Sequence, residues 1–240
     1  MGPKFLYPNS MIIFEHVYKT YPNGHHALRN INFRLEKGEF TFLTGPSGAG
    51  KSTLFRLLAL YDRPTSGKIL VRDQEINKLD SNAVAFYRRK VGMVFQDYKL
   101  IQDRTILENV EIPLQIRNDK NTRFRSLQIL DEVGILDKAE EYPMHLSGGE
   151  QQRAALARSL VHQPEILIAD EPTGNLDPIK SIEMMELFEI ANSRGTTVLI
   201  ATHDMGLVYR MKKRTLHLDS GALKEVLPDS RDNGGDNVFF

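Results

Sequence analysis

Residues 45–52, GPSGAGKS, have the types and the spacing that bind phosphate groups. They fit the pattern G-x-x-x-x-G-K-[ST], in which glycines let backbone amides surround an anion, the lysine neutralises charge and the hydroxyl ligates Mg²⁺. This phosphate loop lies between an apolar stretch, Phe40 to Leu43, and a helical stretch that begins at Lys51, which is the context that the pattern requires. The sequence therefore predicts a nucleoside triphosphate site with the contacts Gly45, Pro46, Ser47, Gly48, Ala49, Gly50, Lys51, Ser52 and Thr53.

A second apolar stretch, Ile166 to Ala169, ends in two consecutive carboxylates, Asp170 and Glu171. The first carboxylate after a buried strand can hold Mg²⁺, directly or through water. The second can polarise an attacking water as a general base, which contributes about 10²–10⁴-fold to a rate. Taken alone, the pair could simply cap the turn that follows. Beside Lys51, we interpret it as the hydrolytic half of the same site.

The octapeptide LSGGEQQR at residues 146–153, here called the signature segment, combines a helix start with two costly glycines. Ser147 and Glu150 have the spacing of a capping box, in which each side chain bonds the other residue's amide. Gly148 and Gly149 fall in the first turn, where each costs about 1 kcal/mol relative to alanine. Bare backbone at a helix N-terminus allows a phosphate to approach the amides and the positive end of the helix dipole. The signature segment is therefore a second candidate phosphate contact.

One competing pattern belongs to a different class of nucleotide-binding protein. Residues 77–80, NKLD, match the guanine-recognising N-K-x-D of GTPases, and residues 131–134, DEVG, match their D-x-x-G. In GTPases D-x-x-G precedes N-K-x-D, whereas here the order is reversed. Val133 also falls on the apolar face of a predicted helix. We therefore interpret both matches as structural.

Short apolar stretches that alternate with helices would position these residues. Residues 11–45 are rich in strand and turn signals, and Ser81 is the predicted cap of a helix that ends near Arg89. Strands that alternate with helices indicate a parallel sheet with both faces covered. Beyond residue 45 the predicted strands are 68–71, 91–95, 166–169 and 197–201, and the helices of this part are 51–60, 81–89 and 178–195.

The middle of the chain, from about residue 97 to 160, has no strand signal and predicts a helical subdomain. Phe124, Leu127, Leu130 and Val133 are assigned to one face of a helix, and Gly134 stands where a C-cap belongs. The helix of the signature segment is predicted to continue through Ala154 to Val161. An inserted helical subdomain of this kind would lie beside the α/β core.

The bulk composition excludes several classes of protein. Lys plus Arg and Asp plus Glu both number 31, so the chain lacks the overall positive charge of a nucleic-acid-binding protein, and we predict no nucleic-acid partner. It has no cysteine, which excludes disulfides and Cys-ligated zinc. No apolar run approaches the roughly 18–20 residues that span a bilayer. We expect a cytoplasmic chain that reaches a membrane only through a partner.

Three motifs together resemble the ATP-binding-cassette (ABC) ATPases: the phosphate loop, the signature segment, and residues 169–172, ADEP, followed by 175–177, NLD. The likeness covers about residues 11–222 in the family's order and spacing. It implies an α/β fold with a RecA-like P-loop NTPase core, an N-terminal antiparallel β subdomain and the inserted α-helical subdomain. The implied limits are 11–227 for the ATPase domain, with core segments 11–98 and 161–227 and helical subdomain 99–160, an extra segment or expression scar at 1–10, and a disordered tail at 228–240.

The resemblance also assigns roles to single residues, with ATP and Mg²⁺ as the cofactors. In this family two cassettes pack head to tail as a homodimer with two composite sites, so Ser147, Gly148 and Gly149 would contact the partner's nucleotide. Asp177 would lie at the dimer seam. Tyr21 resembles the aromatic residue that stacks on adenine; an ordinary hairpin aromatic is the alternative. The implied catalytic residues are Glu171, His203, Gln96 and Lys51, and the implied metal ligands are Ser52, Gln96 and Asp170.

Within the family, residues 95–100 and 103–105 are similar to the cell-division branch. There the cassette docks under a polytopic membrane protein, and ATP-driven closure is transmitted across the membrane to regulate peptidoglycan hydrolysis. This implies a peripheral position on the cytoplasmic face of the bacterial inner membrane, at the septum. A nucleotide-binding subunit of a lipoprotein-release or macrolide-export transporter is the alternative. A third hypothesis is a soluble cassette that acts on DNA or ribosomes, or a nucleotide-binding module without turnover.

Overall fold

Two sheets form the framework of residues 9–226, the part of the chain that the computed structural model describes. The predictions for residues 1–8 and for the tail at 228–240 lie outside it. The strands in chain order are β1 (Ser10–Thr20), β2 (His26–Glu36), β3 (Phe40–Thr44), β4 (Ser66–Val71), β5 (Gln74–Glu75), β6 (Val91–Val94), β7 (Ile166–Asp170), β8 (Thr197–Ala201), β9 (Arg214–Asp219) and β10 (Ala222–Val226).

The first sheet is antiparallel, with strand order β2-β1-β4-β5. The second has the order β10-β9-β3-β8-β7-β6, and all its neighbouring strands run parallel except β10, which is antiparallel to β9. In open parallel sheets, ligands bind beyond the carboxyl ends of the strands. The phosphate loop follows β3, and the carboxylates Asp170 and Glu171 stand at the end of β7, so both meet at that edge.

Helices cover the second sheet and form a separate bundle. They are α1 (Lys51–Leu58), α2 (Ser81–Arg88), α3 (Ile106–Gln115), α4 (Thr122–Glu132), α5 (Gly148–Leu160), α6 (Pro178–Ser193) and α7 (Met205–Met211), with 3₁₀ turns at Ile76–Lys78, Leu136–Lys138 and Pro143–His145. None of the helices within residues 9–226 has the length and apolar character that crossing a bilayer requires. The fold class predicted from the sequence, an α/β core with an antiparallel sheet and a helical insertion, is confirmed.

Three apolar clusters hold these layers together. Alternate residues of β7 point to opposite faces, so Ile166 and Ile168 join the cluster under α1 and the antiparallel sheet, whereas Leu167 and Ala169 join the cluster under α6. This is why the first four residues of β7 are all apolar: both faces of the strand are buried there. The third cluster lies among α3, α4 and α5 and contains residues such as Leu130. The helical insertion thus has a core of its own.

Two local predictions are wrong. Phe124 is 71% exposed, because steps of three residues fall about 60° short of a full helical turn, so Phe124 and Val133 lie on opposite sides of the helix axis. Asp80, not Ser81, caps α2: its Oδ1 accepts from the amide of Ala83 at 2.8 Å. Ser81 is the first helical residue, and the residue before it, Asp80, is the N-cap.

The predicted C-cap at Gly134 is confirmed, and so is the start of the signature helix. Gly134 has φ +74°, and the amides of Gly134 and Ile135 donate to the carbonyls of Asp131 and Leu130 at 2.9 and 3.0 Å. This is the paired hydrogen-bond pattern of a glycine helix end. Helix α5 begins at Gly148 with Ser147 as its N-cap, so both signature glycines lie in the first turn, as the capping box predicts.

Candidate nucleotide-binding site

The phosphate loop is shaped by neighbouring strands that leave no space for side chains. Gly45, Gly48 and Gly50 have φ values of +140°, +77° and +111°, which favour glycine. A Cβ atom on Gly45 would lie 2.0 Å from the carbonyl oxygen of Leu218 in β9, and one on Gly50 would lie 2.6 Å from that of Ala27 in β2. The fold of this chain therefore requires glycine at positions 45 and 50.

Helix α1 begins directly after Gly50, and no side chain caps its first amides. Free amides and the positive end of the dipole make such a terminus attractive to an anion. The Lys51 ammonium lies across the loop, donating to the carbonyls of Gly45 at 2.6 Å and Pro46 at 3.2 Å. The loop therefore combines unpaired amides with a positive charge, as phosphate binding requires.

Ser52 and Asp170 meet where the first turn of α1 approaches the end of β7. The Ser52 hydroxyl donates to Oδ2 of Asp170 at 2.8 Å. Two oxygen donors beside a phosphate loop suit a hard cation such as Mg²⁺, which keeps several water or phosphate ligands. Within residues 9–226, no group of three or more His, Cys, Asp or Glu side chains could hold a metal ion. A magnesium ion here would therefore depend on the triphosphate for part of its coordination.

Glu171 and His203 are joined at the same edge of the sheet. Oε2 of Glu171 contacts Nδ1 of His203 at 2.9 Å and accepts from its backbone amide at 3.3 Å. The Glu171 side chain is only 14% exposed, whereas that of His203 is 73% exposed. Glu171 also has φ +49°, an uncommon conformation for a residue with a side chain, which is found at functional positions. The carboxylate is thus held by the backbone and by the imidazole together.

Gln96 lies in the turn that follows β6 and approaches the loop after Glu171. Its side chain is exposed, and its Nε2 would lie 3.8 Å from a Cβ atom on Gly174, which would itself be 3.7 Å from Cβ of Glu171. The ends of β6 and β7 therefore bring Gln96 to the loop that follows the predicted general base, although the two residues are 75 positions apart by their numbers in the chain.

Tyr21 follows β1 and reaches the first turn of α1. Its hydroxyl is 3.3 Å from Oγ1 of Thr53. The ring lies nearly parallel to that of His25, with centroids 6.5 Å apart, and the Lys19 ammonium is 5.0 Å from its centroid. An aromatic ring from the antiparallel sheet is thus placed beside the phosphate loop of the parallel sheet.

The signature segment forms the capping box that its spacing predicts. The Ser147 hydroxyl accepts from the Glu150 amide at 3.4 Å, and Glu150 Oε2 accepts from the Ser147 amide at 2.8 Å. Hydrogen bonds from the Ser147 hydroxyl and then from its amide hold the pKa of Glu150 below its usual range. Across the described residues, no recorded hydrogen bond or ion pair joins Ser147, Gly148 or Gly149 to the phosphate loop. Within one chain the signature segment caps its own helix, and its contact with a nucleotide stays a prediction.

Asp177 caps α6, with Oδ1 accepting from the amides of Ile179 at 3.1 Å and Lys180 at 3.0 Å. The amide of Lys180 is the main cause that holds the pKa of Asp177 below its usual range. Within one chain Asp177 is a helix cap, and its place at a dimer seam stays a prediction.

The GTPase-like residues have structural roles, as interpreted from the sequence. Asn77 Oδ1 accepts from the Ile69 amide at 2.9 Å, Lys78 pairs with Glu75 at 2.8 Å, and Asp80 caps α2. These bonds order the turn between β5 and α2.

Sequence reasoning missed Arg158 and Tyr98, which connect the Gln96 loop to the signature helix. The Arg158 guanidinium donates to the carbonyls of Tyr98 at 2.8 Å and Lys99 at 2.7 Å, and burial lowers its pKa. Tyr98 and Lys99 have φ values of +60° and +51°, and the Tyr98 hydroxyl would lie 2.9 Å from a Cβ atom on Gly148. An arginine within a helix has no motif that could have indicated this contact.

Comparison with known proteins places these features in a family. The sequence profile of the ABC transporter family matches residues 28–174. The chain is 49% identical over 215 residues to the cell division ATP-binding protein FtsE of Escherichia coli strain K12, covering 89% of this chain and 97% of that protein. It is 44% identical over 227 residues to FtsE of Bacillus subtilis strain 168, covering 94% and 99%.

Solved structures agree with these relatives. The dimeric ATP-binding cassette MJ0796 in a post-hydrolysis state, bound to ADP and Pi, superposes with a TM-score of 0.84 at 36% identity, covering 92% of this chain and 100% of that one. CbiO1 of Clostridium perfringens, part of the ABC transporter complex CbiONQ, superposes with a TM-score of 0.83 at 32% identity, covering 92% and 89%.

Proposed function

The chain belongs to the ABC transporter family and is an ABC-type ATPase, and we propose that it is the ATP-hydrolysing subunit of a cell-division complex. The observation that carries the proposal is the 49% identity to FtsE over 97% of that protein's length. The division partner would be a polytopic membrane protein resembling FtsX. ATP-driven closure of a dimer would change the conformation of that partner and regulate peptidoglycan hydrolysis at the septum.

The chain binds ATP, and the phosphate loop is the proposed site for its phosphates. Backbone amides within residues 45–53, other than Pro46, which has no N–H, would donate to the phosphate oxygens. Lys51 would exchange its bonds to the Gly45 and Pro46 carbonyls for bonds to the β- and γ-phosphates. Tyr21, whose hydroxyl lies 3.3 Å from Thr53, would stack on adenine. Base and phosphates would then contact the same first turn of α1.

Mg²⁺ is proposed to be held by Ser52 and Asp170, with Gln96 as a further ligand. It would supply Lewis-acid polarisation of the phosphate oxygens. The 2.8 Å contact between the Ser52 hydroxyl and Asp170 supports the fit, because it places two hard oxygen donors at the mouth of the loop.

Glu171 is the proposed general base. Its carboxylate would take a proton from water as the water oxygen attacks the γ-phosphorus and the bond from that phosphorus to the bridging oxygen breaks, giving ADP and phosphate. His203, bonded to the same carboxylate at 2.9 Å, would hold Glu171 in line and contact the γ-phosphate with its exposed ring. Gln96 would contact and orient the attacking water, and Lys51 would neutralise developing charge.

The signature segment is proposed to complete the site of a second copy. Its first helical amides have no acceptors within their own helix, and the capping box holds Ser147 at that terminus. Ser147, Gly148 and Gly149 would bond the γ-phosphate in the partner's loop, and Asp177 would lie at the seam. The solved dimers of the related cassette MJ0796 support this arrangement.

The subdomain limits and the peripheral position at the inner membrane are proposed with this function. Core segments 11–98 and 161–227 would bind nucleotide, and 99–160 would carry the signature segment and, with the Gln96 loop, the membrane partner. A subunit of a lipoprotein-release or macrolide-export transporter is the second candidate. It is favoured by the TM-score of 0.85 to MJ0796, described as a bacterial ABC transporter cassette.

The test is co-purification from native membranes with Glu171→Gln, ATP and Mg²⁺, followed by mass spectrometry. We expect this variant to keep ATP binding, to hydrolyse ATP at least ~10²-fold more slowly and to trap the closed dimer on its partner. The wild-type chain with ADP is the matched control. Recovery of a four-span protein with a periplasmic loop supports the division role. Recovery of a lipoprotein-release or efflux permease contradicts it, and wild-type turnover of the variant contradicts the assignment of the base.

A further inference from the structure

A buried lysine behind the proposed adenine platform has no assigned role. Lys19 is 9% exposed, and burying an ammonium is costly unless it is paired and hydrogen-bonded. We propose that Lys19 is a positioning residue: it holds the Tyr21 ring in the orientation that stacks on adenine and fixes this ring to the helix of the phosphate loop. The inference rests on the role proposed above for Tyr21.

A β-bulge turns Lys19 inward. Between Phe14 and Val17, β1 has one residue more than either neighbouring strand, and His16 in this bulge has φ +48°. Ile12 and Phe14 are buried before the bulge, whereas Val17 and Lys19 are buried after it. Bulges of this kind redirect the side chains that follow. Without the extra residue, Lys19 would face solvent.

The neighbouring strand is built to accept this bulge. A Cβ atom on Gly67 in β4 would lie 2.3 Å from the carbonyl oxygen of His16, so only glycine fits there. On the other side, the amide of His16 donates to Oδ1 of Asn32 in β2 at 2.8 Å. Both neighbours of β1 therefore support the conformation that directs Lys19 towards the site.

The Lys19 ammonium has three separate contacts. It pairs with Oδ1 of Asp62 at 2.6 Å and donates to the carbonyl of Arg63 at 2.8 Å. Its third side faces the Tyr21 ring, 5.0 Å from the centroid, within the range of a cation–π contact. Burial raises the pKa of Asp62, but the hydrogen bonds from Lys19 and the Arg63 amide together outweigh this effect. The net pKa of Asp62 is lowered, so this carboxylate stays ionised.

The partner of Lys19 belongs to the end of the phosphate-loop helix. The amides of Tyr61 and Asp62 donate to the carbonyl of Arg56, in the last turn of α1, at 2.8 and 3.2 Å. Lys19 therefore ties the Tyr21 segment to the C-terminal end of α1, while the Tyr21 hydroxyl contacts its first turn at Thr53. Two contacts at opposite ends of one helix set the ring relative to the phosphate loop. A ring ordered before binding loses less entropy when the base stacks on it.

The experiment measures binding of ADP and of inorganic triphosphate, which lacks the base, to the purified full chain by calorimetry. Lys19→Met keeps the chain length and removes the charge; we expect ADP affinity to fall about 3- to 10-fold and triphosphate affinity to stay unchanged. Lys19→Arg keeps a cation and should retain ADP affinity. In a Tyr21→Ala background, Lys19→Met should have no further effect, because it acts through the ring.

Two outcomes would overturn the inference: an equal loss for both probes, which means that Lys19 acts on the whole helix, or a full loss that persists without the Tyr21 ring. Because Lys19→Met leaves Asp62 unpaired, the double variant Lys19→Met with Asp62→Asn repeats the test without that charge, and thermal melting checks its folding. Unchanged ADP affinity in Tyr21→Ala alone would instead refute the adenine role of Tyr21. The two failures are therefore distinguishable.

Discussion

The phosphate loop and the signature segment both place glycines at a helix N-terminus, but different neighbours explain them. In the phosphate loop, the carbonyls of Leu218 and Ala27 exclude any side chain at Gly45 and Gly50, and both glycines have positive φ. These positions are explained by atoms of the same chain. The conformation of the loop is therefore fixed within one molecule.

Gly149 has no comparable reason inside the chain, and at Gly148 a Cβ atom would lie 2.9 Å from the Tyr98 hydroxyl, which is the far end of a side chain rather than backbone. Neither Gly148 nor Gly149 has a positive φ, and a Cβ atom on Gly149 would make only ordinary contacts, at 3.5 Å to Lys180 and 3.6 Å to Leu176. Their neighbour Ser147 already caps the helix. Gly149 is thus a glycine that its own fold does not require, and this difference supports the proposal that the signature segment contacts a second molecule.

The largest expected effect that would break this comparison comes from Ser147→Arg. The long side chain would block the approach of a second molecule, so we expect ATP turnover to fall at least ~100-fold, the loss seen when a transition-state donor is removed. ADP binding to the isolated chain should stay intact. Turnover assays and calorimetry test both, with Ser81→Arg at the start of α2 as the matched control. Loss of ADP binding by Ser147→Arg would mean that Ser147 serves its own site.

The next effect is at the phosphate loop, where Gly45→Ala and Gly48→Ala form a matched pair. At Gly45 the added methyl meets Leu218 at 2.0 Å, so we expect the free energy of unfolding to fall by roughly 3 kcal/mol and ADP binding to be lost. At Gly48 a Cβ atom would have no neighbour within 4 Å, and the cost should be about 1–2 kcal/mol, from the positive φ alone. Urea unfolding measures both. Equal costs would contradict the view that strand β9 shapes this loop.

The smallest expected effect sharpens the comparison, because stability and function should change in opposite directions. Gly149→Ala should raise the free energy of unfolding by about 0.4–1 kcal/mol, since alanine favours the helix and has less freedom in the unfolded chain. It should nevertheless lower ATP turnover, because the methyl would stand where a partner's phosphate approaches. Gly50→Ala, in contrast, should lower both quantities. An unchanged turnover in Gly149→Ala would remove the reason for assigning this glycine to a second molecule.

The fold was predictable where local signals agree with burial. Strand β8 has the predicted bounds, Thr197–Ala201, because burial on both faces gives it a continuous run of four apolar residues, 198–201. The prediction for Phe124 was wrong because apolar residues spaced by three drift around the helix instead of staying on one face. The predicted start of α2 was wrong because Asp80 and Ser81 are both favourable N-cap residues, and only the backbone conformation decides between them.

The candidate site was predictable where a spaced motif carries its own chemistry. The roles of residues in the phosphate loop, and of Glu171 and the signature segment, stay predictions, but the structure brings Glu171, His203 and Gln96 to one edge of the sheet. Lys19 and Arg158 had no motif. Lysine and arginine usually face solvent, and their burial follows from a bulge and from a strained loop that no local pattern indicates.

The sequence by itself determined the class of this protein, because phosphate binding needs bare backbone, a cation and a hydroxyl within one short segment, and short segments keep their spacing. It also determined which strands are buried. Only the tertiary structure decided that the Leu218 carbonyl excludes a side chain at Gly45, that Lys19 points inward and that Glu171 bonds His203. These contacts join residues far apart in the chain, and they form only when strands from distant segments pair in one register.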